Sequence, residues 1–229
     1  MNFPQNSGKI WAWLSRCSPF TPAGIAGLMG NLYAESALEP GRMQGDFHPL
    51  RVKSRDYTEQ VDNGTRSAAA FASDGVGYGL AQWTYPTRKS ALLRFARANG
   101  AGISDLHTQL EFMLQELSGD YSAVGDLLRT TDDPAAASSR VLAVYENPAD
   151  QSPRVHEQRA GYAREFYRAF TDDEEADDSA ESPAGQEPEP EPADPLADYL
   201  QTQMPPLGTP LTRADIRRFI DWAIREYGL

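Results

Sequence analysis

One segment of the chain is unable to contribute to a folded core. Residues 171–195 contain eleven acidic residues, no basic residue and, proline aside, no apolar side chain larger than alanine. Such a segment buries too little apolar surface to fold, and its like charges keep it extended. The sequence therefore predicts an acidic disordered linker at 171–195, which separates a domain of residues 1–170 from a C-terminal module of residues 196–229.

The linker carries most of the negative charge of the protein. The formal net charge is −12, yet residues 1–170 contain 17 basic and 18 acidic residues. Nucleic-acid-binding domains concentrate basic residues, so no nucleic-acid partner is expected. No apolar run reaches the roughly 18 residues of a membrane span, so no membrane partner is expected either. The first residues lack the basic-then-apolar layout of a signal peptide.

The domain of residues 1–170 is predicted to be mainly helical. Thr21-Pro22, Asp133-Pro134 and Ser152-Pro153 each place a capping side chain before a proline suited to the first helical position. Apolar residues recur at helical spacing after Thr21, after a cap at Ser104, after Ser152 and within residues 88–98. Between Ser36 and Gly77 this period is lost, which favours an irregular insertion with a short β-hairpin near Val52 to Val61.

The C-terminal module contains one amphipathic helix over residues 211–229, capped by Thr212 and Asp215. A single helix of this length is marginal by itself in water. Three arrangements remain open: pairing with residues 196–204, docking on the main domain, or binding a carrier or tail protein.

Metal and cofactor chemistry find no support in the sequence. His48, His107 and His156 lie far apart, outside any known ligand spacing, and Cys17 has no nearby histidine or second cysteine. No phosphate-binding GxxxxGK[ST] motif is present. We therefore expect no metal and no cofactor.

Glu35 is the first candidate for catalysis. It lies at the predicted end of the helix after Thr21, at the margin of the apolar stripe. Partial burial and the negative end of the helix both favour its protonated form. A carboxylic acid that stays protonated can act as the general acid of glycosidic-bond cleavage. Taken alone, a glutamate at a helix end is more often a solvent-exposed residue.

Three segments add to this pattern. The stretches GLMGNLYAES, GYGLAQWT and VYENP resemble the Glu-Ser, Gly-Leu-x-Gln and Tyr-Asn elements of goose-type lysozymes and lytic transglycosylases. In order and spacing, residues 7–170 more closely resemble the phage tail lysozyme family. The resemblance implies a mainly α, lysozyme-like α+β fold whose cleft holds peptidoglycan glycan strands, and it implies a virion-associated enzyme or one delivered to the cell wall by a non-classical route.

The resemblance also implies roles for individual residues. Glu35 matches the catalytic glutamate, which protonates the oxygen of the β-1,4 bond between N-acetylmuramic acid and N-acetylglucosamine. Tyr145 matches a tyrosine whose hydroxyl faces that glutamate, although Glu146 stands where asparagine is usual. The remaining positions are expected to bind substrate along the cleft, through the Gly-Leu block or by aromatic stacking on sugar rings: Tyr33, Tyr78, Gly79, Leu80, Gln82 and Trp83.

A second carboxylate is less clearly marked. Asp74 precedes the Gly-Leu block, near the position of a water-activating aspartate in goose-type lysozymes, and Asp62 is the alternative. Arg88 and Lys89 are interpreted as exposed residues at a helix start. Three functions follow: an N-acetylmuramidase using Glu35 and Asp74, a lytic transglycosylase using Glu35 alone, or a non-catalytic module that binds cell wall or serves as a virion structural part.

Overall fold

The computed structural model describes residues 3–45 and 53–178, together with Arg218 and Trp222, both of which are helical. The chain divides into two units, residues 1–179 and 180–229. The part of the predicted linker beyond residue 178 lies outside the described residues. So does the helix capped by Thr212 and Asp215, apart from Arg218 and Trp222. Those two predictions therefore stay predictions.

The described part of the first unit is mainly helical, which confirms the predicted fold class. In chain order its helices are α1 Ser7–Cys17, α2 Pro22–Ser36, α3 Ser54–Asp62, α4 Ala68–Ser73, α5 Pro86–Ala98, α6 Leu106–Ser118, α7 Ser122–Leu128, α8 Pro134–Arg140, a π-helix Val141–Glu146 and α9 Pro153–Asp178. Within the described ranges, β pairing is limited to two isolated bridges, Met43 with Tyr78 and Tyr78 with Trp83.

The α2 helix forms the centre of the domain. Every residue from Ala23 to Leu32 is buried, so the helix is enclosed on all sides rather than along one stripe. Gly24, Gly27 and Gly30 lie against the helices that follow: a Cβ at these positions would come within 2.1, 2.3 and 2.7 Å of Leu128, Ala137 and Ala163. Because glycine has no side chain, α7, α8 and α9 can approach the backbone of α2 closely.

Local capping starts most of these helices where the sequence predicts. The Thr21 hydroxyl accepts a hydrogen bond from the Gly24 amide at 2.9 Å, and Asp133 accepts one from the Ala135 amide at 2.8 Å. The cap of α6 is Asp105, whose carboxylate accepts from the Thr108 amide, and not the predicted Ser104.

One predicted element is wrong, and one helix runs further than expected. The expected hairpin near Val61 is replaced by α3, because Tyr57 and Val61 are four residues apart and both bury their side chains on one helical face. Residues 171–178, assigned to the linker, continue α9 in the structure. No helix among the described residues combines the length and the apolar character needed to cross a membrane.

Candidate active site

A cleft of about 590 Å³ opens at the C-terminal end of α2. Its walls are formed by Glu35, residues 42–45, parts of residues 81–85, Arg88 and residues 146–149. Within the described residues, Glu35 and Glu146 are the two carboxyl groups that line it. Segments far apart in the sequence thus meet around two acids, an arrangement suited to general acid and base chemistry.

Glu35 lies in the last turn of α2, where the helix ends because Ala37 adopts a left-handed conformation with φ 53°. Its side chain is 20% exposed and its Oε1 accepts a hydrogen bond from Arg159 Nη2 of α9 at 2.5 Å. Arg159 also donates to buried Asn31 at 3.3 Å. The guanidinium is thereby held in place beside Glu35, and the contact fixes the direction of the carboxyl group.

Glu146 is the last residue of the π-helix and shares the cleft with Glu35. Its Oε1 atom is buried and has no hydrogen-bond partner among the described residues. Burial raises the pKa of Glu146 well above that of an ordinary glutamate, and the negative charge of Glu35 raises it further. Arg88 and Arg159 act in the opposite direction but do not reverse the effect on this pKa.

Tyr145 points to a different acid from the one expected. Its hydroxyl donates to Glu116 Oε2 at 2.6 Å rather than facing Glu35. Trp83 Nε1 donates to the same Glu116 oxygen at 2.9 Å. Burial, followed by the charge of Glu116, raises the pKa of Tyr145 well above its usual value. Tyr145 and Trp83 therefore brace the wall behind the cleft, and neither side chain lines it.

Arg88 completes this support from α5. Its Nε and Nη2 donate to the two oxygens of Glu116 at 2.7 and 2.8 Å, and its guanidinium lies 4.6 Å from the centre of the Tyr145 ring. Although burial alone lowers the pKa of Arg88, the hydrogen bonds to Glu116 raise it above the usual value. The prediction that Arg88 is an exposed residue is wrong, because its side chain is mostly buried and makes two hydrogen bonds to Glu116.

The Gly-Leu block forms a tight turn at the edge of the cleft. Gly79 has φ 79° and Gln82 has φ 45°. The Leu80 amide donates to Gln109 at 2.8 Å, and Gln82 Nε2 donates to the Gly79 carbonyl at 2.9 Å. Leu80 and Trp83 are buried, whereas Ala81 and Gln82 line the cleft. Of the predicted cleft residues in this block, Gln82 is thus the one whose side chain reaches it.

Asp74 is engaged elsewhere. Its side chain is 6% exposed, and Oδ1 accepts from the fully buried Lys89 ammonium at 2.5 Å. Tyr57 donates to Oδ2 at 2.5 Å. Burial lowers the pKa of Lys89 while the bond to Asp74 opposes that change. Asp74 does not line the cleft, and its carboxylate has no free access to a water. The structure therefore argues against Asp74 as the base and against Lys89 as an exposed residue.

The other predicted residues also lie away from the cleft. Asp62 accepts from the Ile103 amide at 2.9 Å and borders a second groove. Tyr33 packs edge-on against Tyr162, with ring centres 4.8 Å apart. Tyr78 is buried, with its hydroxyl 2.6 Å from Thr58. Among the described residues, the aromatic side chain that does line the cleft is Tyr85, which is 60% exposed.

Sequence reasoning missed two residues of the site. Arg159 lies 124 positions from Glu35, and nothing in the local pattern links them. One feature of the sequence pointed to Glu146: it follows Tyr145 at a position where asparagine is usual. In the described ranges, no group of three or more His, Cys, Asp or Glu side chains is arranged to hold a metal ion.

Comparison with known families gives a match over most of the chain. The sequence model of the family described as phage tail lysozyme matches residues 5–170, which is 166 of the 229 residues. The match includes every segment that lines the cleft, and it ends within α9.

Proposed function

Because the chain belongs to the phage tail lysozyme family, we propose that it cleaves the β-1,4 bond between N-acetylmuramic acid and N-acetylglucosamine, with Glu35 as the acid that protonates the bridging oxygen. Family membership makes it a peptidoglycan-degrading enzyme associated with the phage tail. The bond cleaved and the residue that acts are the proposed part.

Glu35 carries the proposal, because it is a partly exposed carboxyl group at the cleft that is held in one position by Arg159. A positioned carboxyl group can give its proton to the leaving oxygen as the bond from that oxygen to C1 of the muramic acid breaks. Water then adds to C1 and returns a proton to the site. Arg159 supports the step by fixing the carboxylate direction and stabilising its charge after the transfer.

Substrate binding is proposed to use the exposed surfaces of the cleft. Tyr85 offers an exposed aromatic face on which a pyranose ring can stack. Gln82 is fixed by hydrogen bonds to two carbonyl groups, those of Gly79 and Arg42. Its backbone is left-handed, with φ 45°, at the point where it lines the cleft.

A lytic transglycosylase is the second candidate, and the ion pair between Asp74 and Lys89 favours it. An inverting hydrolase needs a second carboxylate that activates water, and Asp74 is occupied. In a transglycosylase the muramoyl 6-hydroxyl replaces that water. Mass spectrometry of digested walls separates the two reactions: a hydrolase leaves reducing muramic acid, whereas a transglycosylase leaves the 1,6-anhydro form.

The decisive experiment compares wild type with Glu35→Gln on purified cell walls. We expect the initial rate of soluble fragment release to fall by at least about 100-fold, the lower end for loss of a general acid. Binding to walls, measured by co-sedimentation, should persist because the amide keeps the shape of the side chain. The control is Glu111→Gln, which alters an exposed glutamate on α6. Equal digestion by Glu35→Gln and wild type would overturn Glu35 as the acid, whereas wall binding without digestion by wild type would leave a non-catalytic wall-binding module as the function.

A further inference from the structure

Glu146 has no role in the reaction described above, yet burying a carboxyl oxygen without a hydrogen-bond partner costs free energy. Buried polar atoms nearly always have a hydrogen-bond partner, and an exception calls for an explanation. Glu146 Oε1 is such an exception among the described residues, and it lies in the wall of the same cleft as Glu35. A carboxyl group kept in this position without a partner is suited to carrying a proton rather than a charge.

The charged groups around Glu146 favour its neutral form. Glu35 on α2 and Glu116 on α6 are negative neighbours, and Arg88 on α5 and Arg159 on α9 are positive ones. Both arginines already have a carboxylate partner, since Arg88 forms a fork with Glu116 and Arg159 contacts Glu35. Glu146 is therefore left without a counter-ion of its own, and the pKa of its carboxyl group is raised accordingly.

Local backbone geometry puts Glu146 in this position. The preceding helix is a π-helix, and Asn147, directly after it, has φ 44° and donates its amide to the Leu142 carbonyl at 2.9 Å. Such π-helical turns and left-handed non-glycine residues are unusual, and they are often found at functional sites. The π-helix therefore ends at Glu146, and residues 146–149 form part of the cleft wall.

We propose that Glu146 is the proton store of the active site: it holds the proton in the resting enzyme and passes it to Glu35, which delivers it to the glycan. This inference rests on the proposed function. Glu35 is the more accessible group, and the proposed function places it against the substrate, so Glu146 acts through it as a positioning residue.

The proton balance closes over one cycle. A proton moves from the Glu146 carboxyl group to the Glu35 carboxylate, directly or through one water, and then to the bridging oxygen. That oxygen leaves with the electron pair of the broken bond to C1. The hydroxyl group that adds to C1, from water or from the muramoyl 6-position, gives up its proton to the two carboxylates. The pair of acids thus ends with the one proton it had at the start.

The test is the dependence of wall digestion on pH for full-length wild type, Glu146→Gln and the control Glu111→Gln. The amide matches the neutral acid in shape but has no proton to give, so we expect about a 100-fold lower rate near neutral pH. Glu35 must then take its proton from solvent beside the Arg159 cation. The alkaline limb of the rate profile should therefore move to lower pH, with activity recovering in acid.

A second measurement, thermal unfolding against pH, does not depend on activity. The raised pKa of folded Glu146 means that the protein takes up a proton on folding, so its stabilising effect is complete below the usual glutamate pKa and is lost as pH rises through the raised value. Wild type loses this stabilisation between the usual glutamate pKa and the raised pKa of Glu146, whereas the amide of Glu146→Gln does not titrate. Over that pH range, the melting temperature of Glu146→Gln relative to wild type should therefore increase with rising pH.

The outcomes are distinguishable. If wild type digests walls and Glu146→Gln has the same rate and the same pH profile, the inference is overturned while the proposed function stands. A difference in melting temperature that is constant with pH would also overturn it, since Glu146 would then not be held neutral. Absence of digestion by wild type would overturn the proposed function and the inference with it.

Discussion

Four carboxyl groups of this domain differ in whether a cation accompanies them. Asp74 has Lys89, Glu116 has Arg88 and Glu35 has Arg159, whereas Glu146 contacts no cation of its own among the described residues. The first two pairs are nearly inaccessible and serve to hold α5 against its neighbours. Of the four, Glu35 and Glu146 line the cleft, and they differ in that Arg159 pairs with the first and no cation contacts the second among the described residues.

At this scale the structural role of Asp74 gives a prediction. In Asp74→Asn the buried Lys89 ammonium loses its counter-ion, so we expect the free energy of unfolding to fall by about 3–5 kcal/mol. Urea titration followed by circular dichroism measures the change. The control is Asp126→Asn, which breaks the exposed pair with Arg129 and should cost less than about 1 kcal/mol. Lost digestion with unchanged stability would instead identify Asp74 as the base.

Among the elements, α2 connects the fold to the site. It carries Glu35 in its last turn, and its glycine face lets α7, α8 and α9 pack against its backbone. Because α9 lies so close to α2, Arg159 can reach both Asn31 and Glu35. The position of the Glu35 carboxyl group therefore depends on the spacing between two helices.

This spacing can be tested with Gly27→Ala. The new methyl group would lie 2.3 Å from the Ala137 side chain, so the helices must separate, and we expect a loss of about 1–3 kcal/mol in stability. The matched control is Gly161→Ala on α9, where nothing lies within 4 Å. There, alanine should stabilise the helix by about 0.5–1 kcal/mol. Thermal melts of both variants measure the difference, and equal stability would contradict the close packing of α2.

At the scale of the whole molecule, the catalytic unit extends further than the sequence indicates. Phe170, at the predicted end of the domain, stacks on Trp11 with ring centres 5.0 Å apart, and α9 continues to Asp178. The first unit includes residues up to 179. The role suggested by the sequence for the C-terminal helix, docking to a carrier or tail protein, stays a prediction.

We expect removal of residues 180–229 to leave digestion of isolated walls unchanged, because all described cleft residues precede the cut. The measurement compares rates for residues 1–179 and the full chain, with circular dichroism melts to verify folding. A folded but inactive truncated protein would show that the C-terminal residues take part in catalysis or substrate binding.

Features set by neighbours along the chain were predictable from the sequence. Thr21 caps α2 and Asp133 caps α8 because capping joins atoms two or three residues apart. The helical fold class followed from apolar residues at helical spacing, and the quoted family segments indicated that Glu35 and Gln82 belong to one site. The structure brings both residues to the cleft.

Only the tertiary structure decided which partner each ionisable group has. Glu35 meets Arg159 across 124 positions, and Tyr145 meets Glu116 across 29. Such contacts follow from how closely α2, α6 and α9 pack, which no local pattern encodes. The sequence could indicate which carboxyl groups matter, whereas the packing determined that Glu35 is paired with a cation and that Glu146 is buried without a hydrogen-bond partner among the described residues.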